Sequence, residues 1–155
     1  MQPLALPFHP QRLSDPREPL IGDLLRLSNA SKQDCVDKII EMLEDFHNHG
    51  FGKAERGANL CRFLKPFGGA VYELKGGKVG SGGPRVYLIR ADDGFAYLTH
   101  AECKKENAAS QWMIADTLEI QDALEAGMPV FPEPQRTGHG LRLERLQPAP
   151  RKAKR

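Results

Sequence analysis

Val71–Lys105 reads VYELKGGKVGSGGPRVYLIRADDGFAYLTHAECKK, and its punctuation decides the fold. Val, Tyr, Leu, Ile and Phe cluster between turn signals, which predicts three consecutive strands. Tyr72-Glu73-Leu74-Lys75 runs into KGGKVGSGG, too glycine-rich for a strand interior and read as a mobile hairpin tip. Arg85–Arg90 follows, and Asp92-Asp93-Gly94 turns the chain into Phe95–His100. An Asp-Gly pair tolerates the left-handed dihedrals of such a turn. Basic residues mark the strand ends: Lys75, Arg85, Lys104 and Lys105, with His100 beside the last pair. A small antiparallel sheet carrying these cations could hold a polyanion, so nucleic acid is the first partner to consider.

Outward from the strands the spacing becomes helical. Cys35, Val36, Ile39, Ile40, Leu43 and Phe46 recur at 3–4 residue intervals, predicting an amphipathic helix over 32–48. Ser31 is its expected N-cap and Gly50 its stop. Leu20–Leu27 reads as a short helix inside an otherwise irregular, proline-punctuated segment 1–30. A weaker helix is expected at 53–60, and Cys61–Leu64 begins the sheet. Glu106–Ala126 returns to helical spacing and ends at Gly127 and Pro129. Residues 129–155, closing in RKAKR, read as a mobile basic tail. The expected class is α+β: an N-terminal helix or helical hairpin packed on a three- to four-stranded antiparallel sheet, with a C-terminal helix.

At 155 residues the chain reads as one domain, residues 31–128, with extensions at both ends. A chain of this size buries about 68–70% of its unfolded surface without staples. The net charge of +2 does not by itself argue for a polyanionic partner. Cys35, Cys61 and Cys103 are odd in number and form no CxxC pair, so reduced thiols and no metal site are expected. The N-terminus lacks the continuous apolar region of a signal peptide, and no run approaches a membrane span. A cytoplasmic location without membrane contact follows as the expectation.

Each candidate residue has a plain reading beside the chemical one. Lys75 and Arg85 are brought together by hairpin pairing, either to clamp phosphate or to keep a sheet edge from aggregating. Lys104-Lys105 closes over a site or begins a solvated helix face. His100 is a possible general base or a satisfied polar residue. Tyr72 and Tyr87 could stack on bases but suit cross-strand packing better. His47-Asn48-His49 sits at a helix end, where histidines suit the dipole. GGKVGSGG lacks the Gly-Lys-Ser/Thr ending and following helix of a phosphate loop. Trp112 and Met113 are expected in the core.

The ordered fragments Leu64-Lys65-Pro66-Phe67-Gly68-Gly69, Val71-Tyr72-Glu73-Leu74-Lys75, Arg85-Val86-Tyr87 and Leu98-Thr99-His100-Ala101 with Lys104-Lys105 resemble the RelE/HigB-like toxins of type II toxin–antitoxin modules, phage-derived relatives included. The resemblance spans residues 35–126. It implies a metal- and cofactor-independent mRNA endoribonuclease, acting free or on the ribosome and neutralised by a cognate antitoxin protein. DNA would be met only through the antitoxin complex. By position it implies Lys75, Arg85 and the Lys104-Lys105 pair. With His100 as the candidate acid or base, the expected catalytic set is Lys75, Arg85, Lys105 and His100, and the basic residues Arg62, Lys65, Lys78 and Lys104 are the expected RNA contacts. The chain departs from the family in having no tyrosine after Tyr97; Gln111 and Trp112 stand in the comparable stretch. The alternative implied by that departure is a non-catalytic protein of the RelE/ParE type. It would bind a protein target such as gyrase, or act as a phage-derived nucleic-acid-binding regulator.

Overall fold

In a computed structural model of the chain, which describes residues 2–6, 19–105 and 110–127, the glycine and Asp-Gly signals turn the chain where the sequence places them. The elements are β1 (Leu4–Ala5), α1 (Pro19–Asn29), α2 (Gln33–His49), β2 (Leu64–Gly68), β3 (Val71–Lys75), β4 (Gly83–Arg90), β5 (Ala96–Lys104) and α3 (Gln111–Glu125). The sheet runs in the order β1-β5-β4-β3-β2. Every neighbour pair is antiparallel except β1 with β5, which is parallel. This is the expected α+β class with one strand more than expected.

The extra strand comes from the segment read as an irregular extension. Leu4 and Ala5 pair with Ala96 and Tyr97, and two residues carry no periodicity for sequence reasoning to detect. The segment belongs to the fold, since Leu4, Leu20 and Leu24 are fully buried in the same core as α2. That core lies on one face of the sheet. Cys35, Val36, Ile39, Met42, Leu43 and Phe46 of α2 meet Leu64, Leu74, Val86, Leu88 and Leu98 there. A smaller cluster on the other face joins Ala5, Ile89, Phe95 and Tyr97 to Ile120 and Ala123 of α3. Covered on both faces, the central strand β4 is buried from Gly83 to Ile89, which is why Val86–Ile89 is a continuous apolar run.

Several local expectations are corrected. Ser31 does not cap α2; it sits at φ +64° one position too early, and Lys32 precedes the helix without a side-chain cap. Asp34 of the first turn bonds instead to the Ser81 N–H at 3.0 Å and receives the Ser81 hydroxyl at 2.6 Å. These bonds hold the Asp34 carboxyl below its ordinary value and pin the hairpin tip that reads as mobile. Residues 53–60 form no helix. The Lys53–Asn59 bridge closes a loop there, with Gly57 at φ +86°. The helix expected from Glu106 begins at Gln111; residues 106–109 and the basic tail from 128 onward lie outside the described residues.

The cysteines differ too. Packing of the α2 N-terminus on the end of β5 brings Cys35 and Cys103 to a Cα separation of 6.3 Å as a disulfide, rather than leaving reduced thiols. Cys61 is free and buried, its thiol pushed up to about 11 by burial, with Asp45 adding to the shift.

Candidate functional site

Strand register places the basic residues more sharply than the sequence does. Lys75 lies opposite Arg85, and Arg85 opposite Glu102, forming one row across three strands. The neighbouring row is Lys65, Glu73, Tyr87 and His100. Residues directly opposite share a face, so both rows lie on the side away from α2 and the core that it covers. Lys104, two positions beyond Glu102 and opposite Gly83, belongs to the same side by strand alternation. β3 and β4 are interior strands, so edge protection does not explain Lys75 and Arg85. Lys65 and Lys75 are exposed and Lys104 is half-buried. Arg85 is only 4% exposed, close enough to Tyr87 for its charge to act on the phenol.

At the β2 edge the pairing shifts: Pro66 lies opposite Tyr72 and Gly68 opposite Val71, leaving Phe67 as a bulged residue without a partner. A bulge re-aims a side chain. The Phe67 ring meets Tyr87 edge-on at 6.2 Å on the open side, yet stays 42% exposed. Tyr72 and Tyr87, expected to pair across strands, instead face opposite sides; Tyr72 packs against Phe51 at 5.0 Å.

The β5 end of the same face is closed. A second register shift falls where Tyr87 pairs with His100 and Leu88 with Leu98, so Thr99 is the additional residue. Thr99 and His100 therefore both turn toward α3. The Thr99 hydroxyl meets that of Thr117 at 2.7 Å. His100 Nδ1 lies 2.6 Å from Asp23 of α1, and Nε2 lies 2.6 Å from Asp116 of α3. Asp23 also accepts the Ala101 N–H at 2.9 Å, taking a β5 edge donor beyond the reach of the two-residue β1. Arg26 pairs with Asp23 on the solvent side.

Burial works against charge on His100, but the hydrogen bonds and charges of Asp116 and Asp23 outweigh it and hold its pKa above the ordinary 6.5. The group is an imidazolium between two carboxylates, 1% exposed. His100 is thus not an accessible general base: both nitrogens are engaged and solvent does not reach it. Trp112, expected in the core, is half-exposed and covers the imidazole edge-on at 5.2 Å.

Between the closed and open ends, the Tyr87 hydroxyl donates to Glu102 at 2.5 Å. Glu102 also receives the Ser110 N–H at 3.0 Å and its hydroxyl at 2.5 Å. Burial, then the Glu102 carboxylate, raises the Tyr87 phenol well beyond its ordinary value, so it stays protonated.

The remaining expected residues are spread out. Lys105 is exposed just past β5, and Lys78 is exposed in the β3–β4 hairpin. Arg62 stacks over Phe63 at 4.8 Å and pairs with Glu41 of α2 at 3.4 Å, away from the open face. Sequence reasoning missed Glu73 and Phe67. The period-2 spacing Lys65–Phe67 and Glu73–Lys75 is the signal that places them beside the cations. It also missed Asp23 and Asp116, for which no local signal exists. Among the described residues no His/Cys/Asp/Glu cluster could hold a metal ion, and no helix is long and apolar enough to cross a membrane. Comparison with protein-family models and with curated proteins returns no match.

Proposed function

We propose that the open half of this sheet face binds single-stranded RNA, and that the protein is the toxin component of a type II toxin–antitoxin module. In this reading it cleaves mRNA without a metal until a cognate antitoxin covers the face. One observation carries the proposal: Lys75 and Arg85 are adjacent on interior strands, with Lys65 and Lys104 on the same face. Such cations on interior strands have no role in edge protection; the exposed lysines can reach phosphodiester oxygens, and the buried Arg85 adds charge behind Lys75.

In the corresponding reaction the 2′-oxygen attacks the adjacent phosphorus as the bond to the 5′-oxygen breaks. The products are a cyclic phosphate and a 5′-hydroxyl. In this reading Glu73, half-buried on this face and two residues from Lys75, accepts the 2′-hydroxyl proton. Lys75 stabilises the charge on the phosphorane-like state, with Arg85 behind it. Lys104 or Lys105 returns a proton to the leaving oxygen. Preorganised charge of this kind is commonly the largest catalytic term, and losing one such donor costs about 10²–10³ in rate.

Tightly controlled expression tests this directly. The wild type should arrest growth with cut transcripts, and the exposed-site variant Lys75→Ala should relieve both. Normal growth with intact transcripts, in cells lacking any antitoxin, overturns the reading. A second reading rests on the sealing of His100 and Tyr87, which removes the imidazole and phenol from this face. The accessible cations then serve to bind an acidic protein surface, as in a gyrase-poisoning relative. A DNA-damage response with intact transcripts distinguishes it.

A further inference from the structure

We propose that Phe67 is a stacking platform for an unpaired RNA base, with Lys65 and then Lys75, in line along one side of it, holding the phosphates that lead away from that base. This rests on the reading of the open face as an RNA interface and assigns the residue that would select single strands over duplex.

Three features of Phe67 combine. It is a large apolar side chain left 42% exposed in the strand whose Leu64 is 2% exposed. The bulge between Pro66 and Gly68 removes it from the cross-strand ladder, while alternation from Lys65 puts it on the cationic side rather than in the core. Its ring is not loose: it stands at 83° to Tyr87, and Tyr87 is anchored by Glu102, which Ser110 holds in turn. A pre-oriented aromatic loses little conformational freedom when it is covered.

The chemistry beside the ring selects the occupant. Lys65 precedes Phe67 by two residues on the same strand, and Lys75 lies on the next strand, one pair beyond Glu73. An aromatic with exposed ammonium groups in line on one side suits a base and the backbone phosphates running from it, because stacking and phosphate contacts are then made together. An apolar peptide anchor would cover the ring and make no use of those ammonium groups. Bases inside a duplex are already stacked and cannot cover the ring. Stacking accepts every base, so discrimination among sequences should be slight, favouring the larger purines.

Fluorescence polarisation of the full chain with labelled single-stranded oligoadenylate, and with a duplex RNA of the same length, tests the assignment. Phe67→Ala should weaken single-strand binding roughly 5- to 150-fold. It should leave the salt slope unchanged, and Phe67→Trp should restore affinity. Lys65→Ala and Lys75→Ala should each lower the salt slope by about one. Wild-type affinity in Phe67→Ala, with Lys75→Ala still weakened, overturns the stacking role and leaves the RNA face standing. An equal loss on duplex and single strand also overturns the stacking role. If the wild type does not bind oligoadenylate, or if neither lysine variant alters binding, the RNA reading falls as well. Thermal melting of Phe67→Ala at the wild-type temperature certifies that its fold is intact.

Discussion

The two bulges on one face of this sheet are the same backbone device with opposite outcomes. At Thr99 the additional residue turns Thr99 and His100 beneath α1 and α3, where carboxylates and a hydroxyl meet every polar atom they bring. At Phe67 no helix among the described residues covers this side of the strand, and the side chain is left exposed beside Lys65. The backbone defect is thus neutral in itself. What packs over it decides whether the residue it presents holds the fold together or is available to a ligand. His100 carries the more reactive side chain but the structural role, and Phe67 the inert ring but the accessible position.

Substitutions at the two ends should separate these roles. The largest effect belongs to the closed end. His100→Ala removes the imidazole that bridges the buried Asp23 and Asp116, which should cost about 3–5 kcal/mol, read from the urea midpoint. Phe67→Ala should stay within about 0.5 kcal/mol, as exposed positions do. Equal costs at the two sites would break the comparison.

The disulfide lies at the β5 end as well, across a separation of 68 residues. Replacing both Cys35 and Cys103 by Ser should lower stability by about 2–4 kcal/mol through the freed unfolded chain. A non-reducing thiol count that titrates all three cysteines of the unfolded chain would exclude the bond. Tyr87→Phe removes one of the donors to Glu102 and should cost about 1–3 kcal/mol. Ultraviolet titration should find the Tyr87 phenol silent until the protein unfolds in alkali.

The smallest and most diagnostic effect is that of pH. An unfolded histidine titrates near 6.5, and His100 in the fold titrates above that value because Asp116 and Asp23 face it, with Arg26 and Trp112 alongside. Its contribution is therefore complete below 6.5 and is lost as the pH rises through the folded value. The urea midpoint should fall over that window in the wild type, and His100→Gln should lack this dependence. A wild-type midpoint that rises there would contradict a charged imidazole.

Legibility followed the range of the interactions. The α2 stripe, the Asp92-Asp93-Gly94 turn and the glycine-rich hairpin are local, and each stands within a residue or two of where periodicity and turn chemistry predict. The Lys75–Arg85 neighbourhood follows from that hairpin alone. The bulges were not legible: Pro66 and Gly68-Gly69 read as punctuation ahead of the strands although β2 runs over Leu64–Gly68, and nothing in Leu98-Thr99-His100 marks an additional residue until the partner strand is known. The 53–60 helix failed because loop closure through Asn59, which donates to Leu64 O at 2.8 Å, outweighs weak local propensity.

By itself the sequence determined the α+β class, the succession of β3, β4 and β5 and which cations share a hairpin, since these depend on periods of 2 and 3.6 and on turn residues. Only the tertiary structure decided that β1 closes the sheet, that Cys35 meets Cys103 and that His100 is sealed while Lys75 is open. The physical reason is separation along the chain: Asp23 reaches His100 across 77 residues, and alternation tells two faces apart without saying what will cover either one.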